Sequence, residues 1–240
     1  LNIVAIILIL LAVIIIYFAT KFLGKAFKII TKILLLLVMV LVVLTLLVSK
    51  DMNDLRKGFT EKNNTFFLYD NNRLYSAVTL KPMSDPNLNI DSFIYFESED
   101  MARTEQSLNE KRYEEILGNN FRVLIIKPEL LNKPYTLKLG VKLDQRDLLD
   151  IVTSEKPAFV LAEKTQREYN ISVEELERGF RNMYGSEEKL KGYLFAAMLS
   201  NRFQAQKPGE LVEDVKERKL IIYPETISFK VIRYMPWVLT

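Results

Sequence analysis

The 240-residue chain contains no cysteine and no histidine. Together these absences exclude disulfides, thiolate nucleophiles, Cys/His zinc sites, imidazole bases and Ser-His-Asp triads. The lack of cysteine leaves the compartment open, because cytosolic proteins and prokaryotic surface proteins both manage without it. Glycine is scarce, with eight residues, and none of them builds a P-loop, a dinucleotide-binding turn, a Gly-x-Ser-x-Gly elbow or a calcium loop. No catalytic residue, metal site, cofactor or small-molecule ligand follows from the sequence.

Apolar residues are abundant and concentrated at the N-terminus. Residues 3–19 form one apolar run of 17 residues, and 33–48 form a second that reaches about 20 residues when 29–32 is included. At about 1.5 Å per residue, runs of this length approach the roughly 30 Å hydrocarbon thickness of a bilayer. The first run exceeds the roughly 7 to 15 apolar residues of a signal peptide and passes into lysines rather than small residues, so a retained helix is expected.

Between the runs, Lys21, Lys25, Lys28 and Lys32 recur at intervals of four, three and four. At 100° per residue this spacing gathers them on one helical face, with Phe22, Leu23, Ala26, Phe27, Ile29 and Ile30 on the rest of the circumference. Such a stripe suits the membrane interface, its ammonium groups in water. Three arrangements fit. The favoured one is a transmembrane hairpin with helices at about 2–23 and 29–49, turning near Gly24. The others are one continuous helix of some 46 residues, and an interfacial helix followed by one span.

The positive-inside rule puts a lysine-bearing turn in the cytoplasm and the rest of the chain on the exoplasmic side of the cell membrane. Lys50, Arg56, Lys57 and Lys62 after the second run weigh against that orientation. The acceptor triplets at Asn63 and Asn170 weigh weakly for it.

The formal net charge of +3 hides an asymmetry. Residues 1–57 carry seven Lys or Arg against two Asp, whereas 58–240 carry 26 basic and 28 acidic residues. A nucleic-acid-binding module needs its basic excess on the folded part, so nucleic acid is not the expected partner.

Residues 50–62 read as a tether, and 63–240 as a single α+β domain. Strands are expected at 65–69 and 74–80, joined by an Asp70-Asn71-Asn72 turn, and at 92–97, 121–126, 136–142, 220–223 and 227–234. A charged helix over 99–117 closes at Gly118. Its Glu105, Glu110, Glu114 and Glu115 read as a solvated face. Asp144 caps a short helix, and 158–162 fits strand or helix. Ser172 and Glu175 form a capping box ahead of a helix ending at Gly185. Two more helices follow, from Ser186 to about Gln206 and then to about Arg218. Strands at both ends with helices between is the α+β pattern.

Arg178, Arg181, Tyr184, Lys189, Tyr193 and Arg202 make the second helical region locally basic and aromatic, a candidate surface for a protein partner or an anionic ligand. The expected function is that of a membrane-anchored binding or scaffold protein, without enzymatic activity, that meets the lipid bilayer and a protein partner or further copies of itself. A subunit of an oligomeric channel or transporter is the alternative, and a carboxylate- or lysine-based enzyme the third reading.

Overall fold

A computed structural model of the chain describes residues 3–22, 24–82, 92–131, 134–136, 140–169, 171–204, 208–226 and 229–230. Two compact units emerge, Leu1–Asp51 and Met52–Thr240.

The first unit is helical. Helix α1 spans Ile3–Phe22 and α2 begins at Lys25. Gly24 separates them, and its carbonyl accepts the Lys28 amide at 3.3 Å, opening the first turn of α2. The expected pair of spans gives way to a single long apolar helix, Lys28–Asp51, the one stretch among the described residues with the length and apolarity to cross a membrane. The expected tether also differs, because α2 continues to Glu61. No proline interrupts 25–61 and the first glycine in it is Gly58, so the polar residues after Ser49 extend the helix instead of ending it.

The second unit is α+β, built on a five-stranded mixed sheet. Its strands are β1 (Asn64–Asp70), β2 (Arg73–Leu80), β3 (Phe93–Tyr95), β4 (Arg122–Ile126) and, late in the chain, β7 (Leu220–Tyr223). Their spatial order is β3-β2-β1-β4-β7. β1 pairs antiparallel with β2 and parallel with β4, and β7 lies antiparallel to β4. The β1–β2 turn is as expected. Asn71 and Asn72 both adopt the left-handed conformation, with φ of 50° and 61°, that a two-residue hairpin loop demands.

Alternation sorts the sheet into two faces. Phe67, Ala77, Val123 and Ile125 point to one side, where Leu108 of α3 (Ser98–Asn109) completes the cluster and Ile116 of α4 (Tyr113–Leu117) packs against it. Phe66, Leu68, Val78, Leu124 and Ile126 point to the other side and are buried. That face is covered by α8 (Glu187–Gln204), whose Leu194, Phe195 and Ala197 are inaccessible to solvent. Gly192 permits the close approach, because a Cβ there would stand 2.7 Å from Cδ1 of Tyr95 on β3. Helices α5 (Gln145–Thr153), α6 (Pro157–Tyr169), α7 (Val173–Tyr184) and α9 (Pro208–Lys216) complete the unit.

Several local expectations change. The charged helix over 99–117 is split, because Lys111 takes a left-handed φ of 57° between α3 and α4. The alternating segment 136–142 contributes only β5 (Tyr135–Thr136) and β6 (Lys142–Leu143), a two-stranded ribbon apart from the main sheet, and 137–139 lies outside the described residues. Residues 158–162 are helical, with Pro157 at the first helical position, where its missing amide is harmless. The expected last strand, 227–234, falls mostly outside the described residues, and Phe229 and Lys230 within it are helical.

The last turns of α2 belong to the second unit and are tied into it. Asn64, fully buried at the start of β1, donates from Nδ2 to the carbonyls of Gly58 at 2.9 Å and Lys62 at 2.8 Å, capping the helix. Phe121 lies beside this cap and donates its amide to Asn63 O at 2.8 Å. Lys62 and Arg122 hold their cations 4.7 Å and 4.4 Å from the Phe121 ring centroid. A Cβ on Gly58 would overlap ring atoms Cε1, Cδ1 and Cζ of Phe121. Gly58→Val is therefore expected to destabilise the second unit by about 1 to 3 kcal/mol through overpacking. Urea unfolding followed by circular dichroism measures this, and pairing the substitution with Phe121→Ala should recover part of the loss.

Candidate functional site

The N-terminal lysines occupy two helices. Lys21 lies in the last turn of α1, whereas Lys25, Lys28 and Lys32 lie on α2, so the break at Gly24 divides the expected stripe one against three. Lys21, Lys28 and Lys32 are exposed. The side chain of Lys25 lies outside the described residues. The first carboxylate in the chain is Asp51, and among the described residues no ion pair reaches Lys21, Lys28 or Lys32. Leu34, Leu36, Leu37, Met39 and Val43, further along α2, are also exposed. Length and composition of Lys28–Asp51 fit a membrane anchor or a signal sequence.

The six basic and aromatic residues of the second helical region take different places. Arg181 on α7 bonds Glu177 at 2.8 Å and Glu187 at 2.9 Å. Lys189 reaches Glu97 at 3.2 Å. Arg202 is buried, with Asp214 at 2.7 Å and Glu210 at 3.0 Å, and so ties α8 to α9. Burial raises the Asp214 carboxyl above its ordinary range although the bond from Arg202 opposes it. Tyr184 and Tyr193 pack together with ring centroids 5.1 Å apart. Burial, then the neighbouring Tyr135 and Tyr169, raises the Tyr184 hydroxyl. Arg178 is exposed and has no carboxylate partner among the described residues. The structure thus brings Tyr184 and Tyr193 together, and pairs Arg181, Lys189 and Arg202 each with carboxylates of the chain itself.

Two lysines not singled out by sequence show opposite electrostatics. Lys164 on α6 contacts Asp147 at 2.6 Å and Asp150 at 2.9 Å, both on α5. The hydrogen bonds to these two carboxylates raise its pKa. Lys191 on α8 is half-buried, and no hydrogen bond or ion pair reaches it among the described residues. Loss of water, reinforced by the Arg73 guanidinium, lowers its pKa against the weaker pull of Glu188, Glu187 and Glu155. Arg73 itself bonds Glu155 at 3.3 Å and faces the Tyr75 ring at 5.6 Å. An amine in such surroundings exposes its lone pair more readily than an ordinary lysine. No sequence signal marks it, since Arg73, which opposes its charge, comes from β2.

Among the described residues no group of three or more acidic side chains is placed to hold a metal. A shallow depression between α6 and α7 is lined by Gln166, Arg167, Ile171 and Ser172. Asn63 is exposed, and Asn170 lies outside the described residues. Comparison with family models, with curated proteins and with solved structures gives no match.

The ordinary lysine value is 10.5, and that of folded Lys191 is lower. Between the two, the unfolded chain holds a proton that the native state does not, so stability from this group rises with pH. Below the folded value the native state carries a buried charge without a partner. Relative to Lys191→Met, the parent chain should gain stability as pH climbs toward 10.5, with a slope of at most about 1.4 kcal/mol per pH unit. Chemical denaturation at stepped alkaline pH reads this difference. A flat difference would remove the assigned environment.

Proposed function

We propose that the protein is a membrane-anchored binding protein whose α+β unit engages protein partners at the membrane surface. The observation that carries this reading is the exposure of the long apolar helix Lys28–Asp51. In water each of its leucines and valines would forfeit about 25 cal/mol for every Å² of apolar surface left wet. A bilayer removes that penalty, and 24 residues reach about 36 Å at 1.5 Å per residue. The same length exceeds the apolar core of a signal peptide, which favours a retained anchor. Helix α1, apolar from Ile3 to Ala19, adds to the membrane-associated surface.

Anchoring supplies a mechanism without catalysis. Confining the second unit to a surface raises its effective concentration toward partners on the same membrane. It carries 26 basic against 28 acidic residues over 58–240, and Arg181, Lys189 and Arg202 are each matched by internal carboxylates, which suits a protein-binding unit better than a polyanion-binding one.

Four positive charges flank each end of the apolar segment, which leaves the charge rule balanced. We place the α+β unit on the exoplasmic side, where the exposed Asn63, first residue of an acceptor triplet, would meet glycosylation. The chain lacks native thiols, so single cysteines report without background. Gly24 has open space around it and Glu174 is exposed on α7. In intact cells an impermeant maleimide should label the Glu174→Cys variant and spare the Gly24→Cys variant until the membrane is permeabilised. The reverse pattern would put the α+β unit inside, and release of the chain by alkaline carbonate would overturn the anchor.

A further inference from the structure

We propose that the lysines flanking the α1–α2 break form a binding surface selective for anionic phospholipid headgroups over zwitterionic ones. This rests on the anchor reading and adds the chemistry of the lipid that surrounds it.

The first step is a contrast in charge compensation. In the α+β unit, Arg73, Arg103, Arg112, Lys164, Arg181 and Arg202 each lie within 4 Å of a carboxylate of the same chain. In the first 50 residues there are five lysines and no acidic residue at all. Exposed Lys21, Lys28 and Lys32 have no ion-pair partner among the described residues. Among the described residues the chain supplies them no counter-charge.

The second step is depth. Lys28 and Lys32 immediately precede the apolar run, and Lys21 closes α1 four residues before α2 begins. With the uncharged run 33–48 in the hydrocarbon, these ammonium groups stand at the headgroup layer, their stems along the apolar boundary. The anion abundant at that depth is the lipid phosphate. Zwitterionic headgroups neutralise their phosphate with their own ammonium, whereas anionic ones leave it free to pair.

The third step is the sign of the helix field. The N-terminus of α2 carries a partial positive charge, yet its first turn contains Lys25 and Lys28 and no acidic residue. Cations there are unfavourable in isolation and become favourable only when an external anion shares the site. Lys21 at the C-terminal end of α1 has the opposite, favourable placement. Each lysine near an anionic surface contributes about fivefold in association, so the cluster is strong enough to sort headgroups.

The test uses the full-length chain reconstituted in phosphatidylcholine bilayers containing trace spin-labelled lipid, either phosphatidylglycerol or phosphatidylcholine. The motionally restricted fraction of the spectrum reports lipid held at the protein surface. The expected result is a relative association constant for phosphatidylglycerol about fivefold or more above phosphatidylcholine. Salt at about 0.5 M should reduce the ratio by screening, and the quadruple Lys21→Gln, Lys25→Gln, Lys28→Gln, Lys32→Gln variant should bring it to near unity. Equal restricted fractions for both headgroups in the parent chain would overturn the selectivity while leaving the anchor intact. So would a ratio that survives in the quadruple variant. Absence of restricted lipid of either kind would overturn the anchor reading and the proposal together.

Discussion

Asn64 is the point at which helix becomes sheet. Its backbone is the first residue of the central strand, in register with Leu80 on one side and Arg122 on the other. Its side-chain amide meanwhile donates to two carbonyls at the C-terminal end of α2, that of Gly58, which also accepts the Lys62 amide at 3.1 Å, and that of Lys62. A buried amide making two bonds to backbone oxygens allows little freedom in how the chain leaves one element and enters the next. Phe121 completes the junction by pairing with Asn63 and packing where Gly58 has no side chain. The parallel pairing of β1 with β4 therefore starts beside a capped helix end, and β2 and β7 are aligned outward from those two strands.

The local signals in the sequence were sufficient wherever the relevant partners lie within a few residues. Asn71 and Asn72 tolerate the left-handed backbone that their hairpin requires. Asp144 and Ser172 accept amides three residues on, at 2.8 Å and 3.3 Å, as N-caps do. The misreadings share a cause. Polarity at 50–61 suggests a tether, yet polarity does not stop a helix. What stops α2 is the Asn64 cap, reached across six residues from Gly58. Lys111 breaks the charged helix in a conformation no composition rule assigns to lysine. Alternation at 136–142 describes a pattern without saying which partner it meets, and Thr136 and Lys142 pair with each other instead of with the main sheet.

The candidate surfaces were less legible, because charge compensation is a long-range property. Lys189 finds Glu97 across the fold, and Arg73 finds Glu155. A window over 178–207 sees six cations and two tyrosines, and of the carboxylates that meet them it contains Glu187 but not Glu97, Glu210 or Asp214. It gives Arg202 the same weight as Arg178, although Arg202 is sealed between α8 and α9 while Arg178 faces solvent. The N-terminal segment is the reverse case. There the absence of acidic residues extends over residues 1–50, so the sequence itself shows that these lysines have no carboxylate close by along the chain.

Three kinds of lysine in one chain display how environment, rather than residue type, decides what a charge does. Lys164 sits between two carboxylates, and its proton is held more tightly than usual. Lys191 has lost water without gaining a partner, so its proton is held less tightly, with Arg73 adding repulsion. Lys21, Lys28 and Lys32 are exposed and have no ion-pair partner among the described residues, which leaves their positive field directed outward. The first arrangement pins α6 to α5, and the second primes an amine without committing it to any contact. The third leaves the folding unit unchanged and acts on whatever anion lies beyond it. Placing that third group beside the long exposed apolar helix Lys28–Asp51 joins two requirements, a medium free of water and a supply of anions, that the surface of an anionic bilayer meets together.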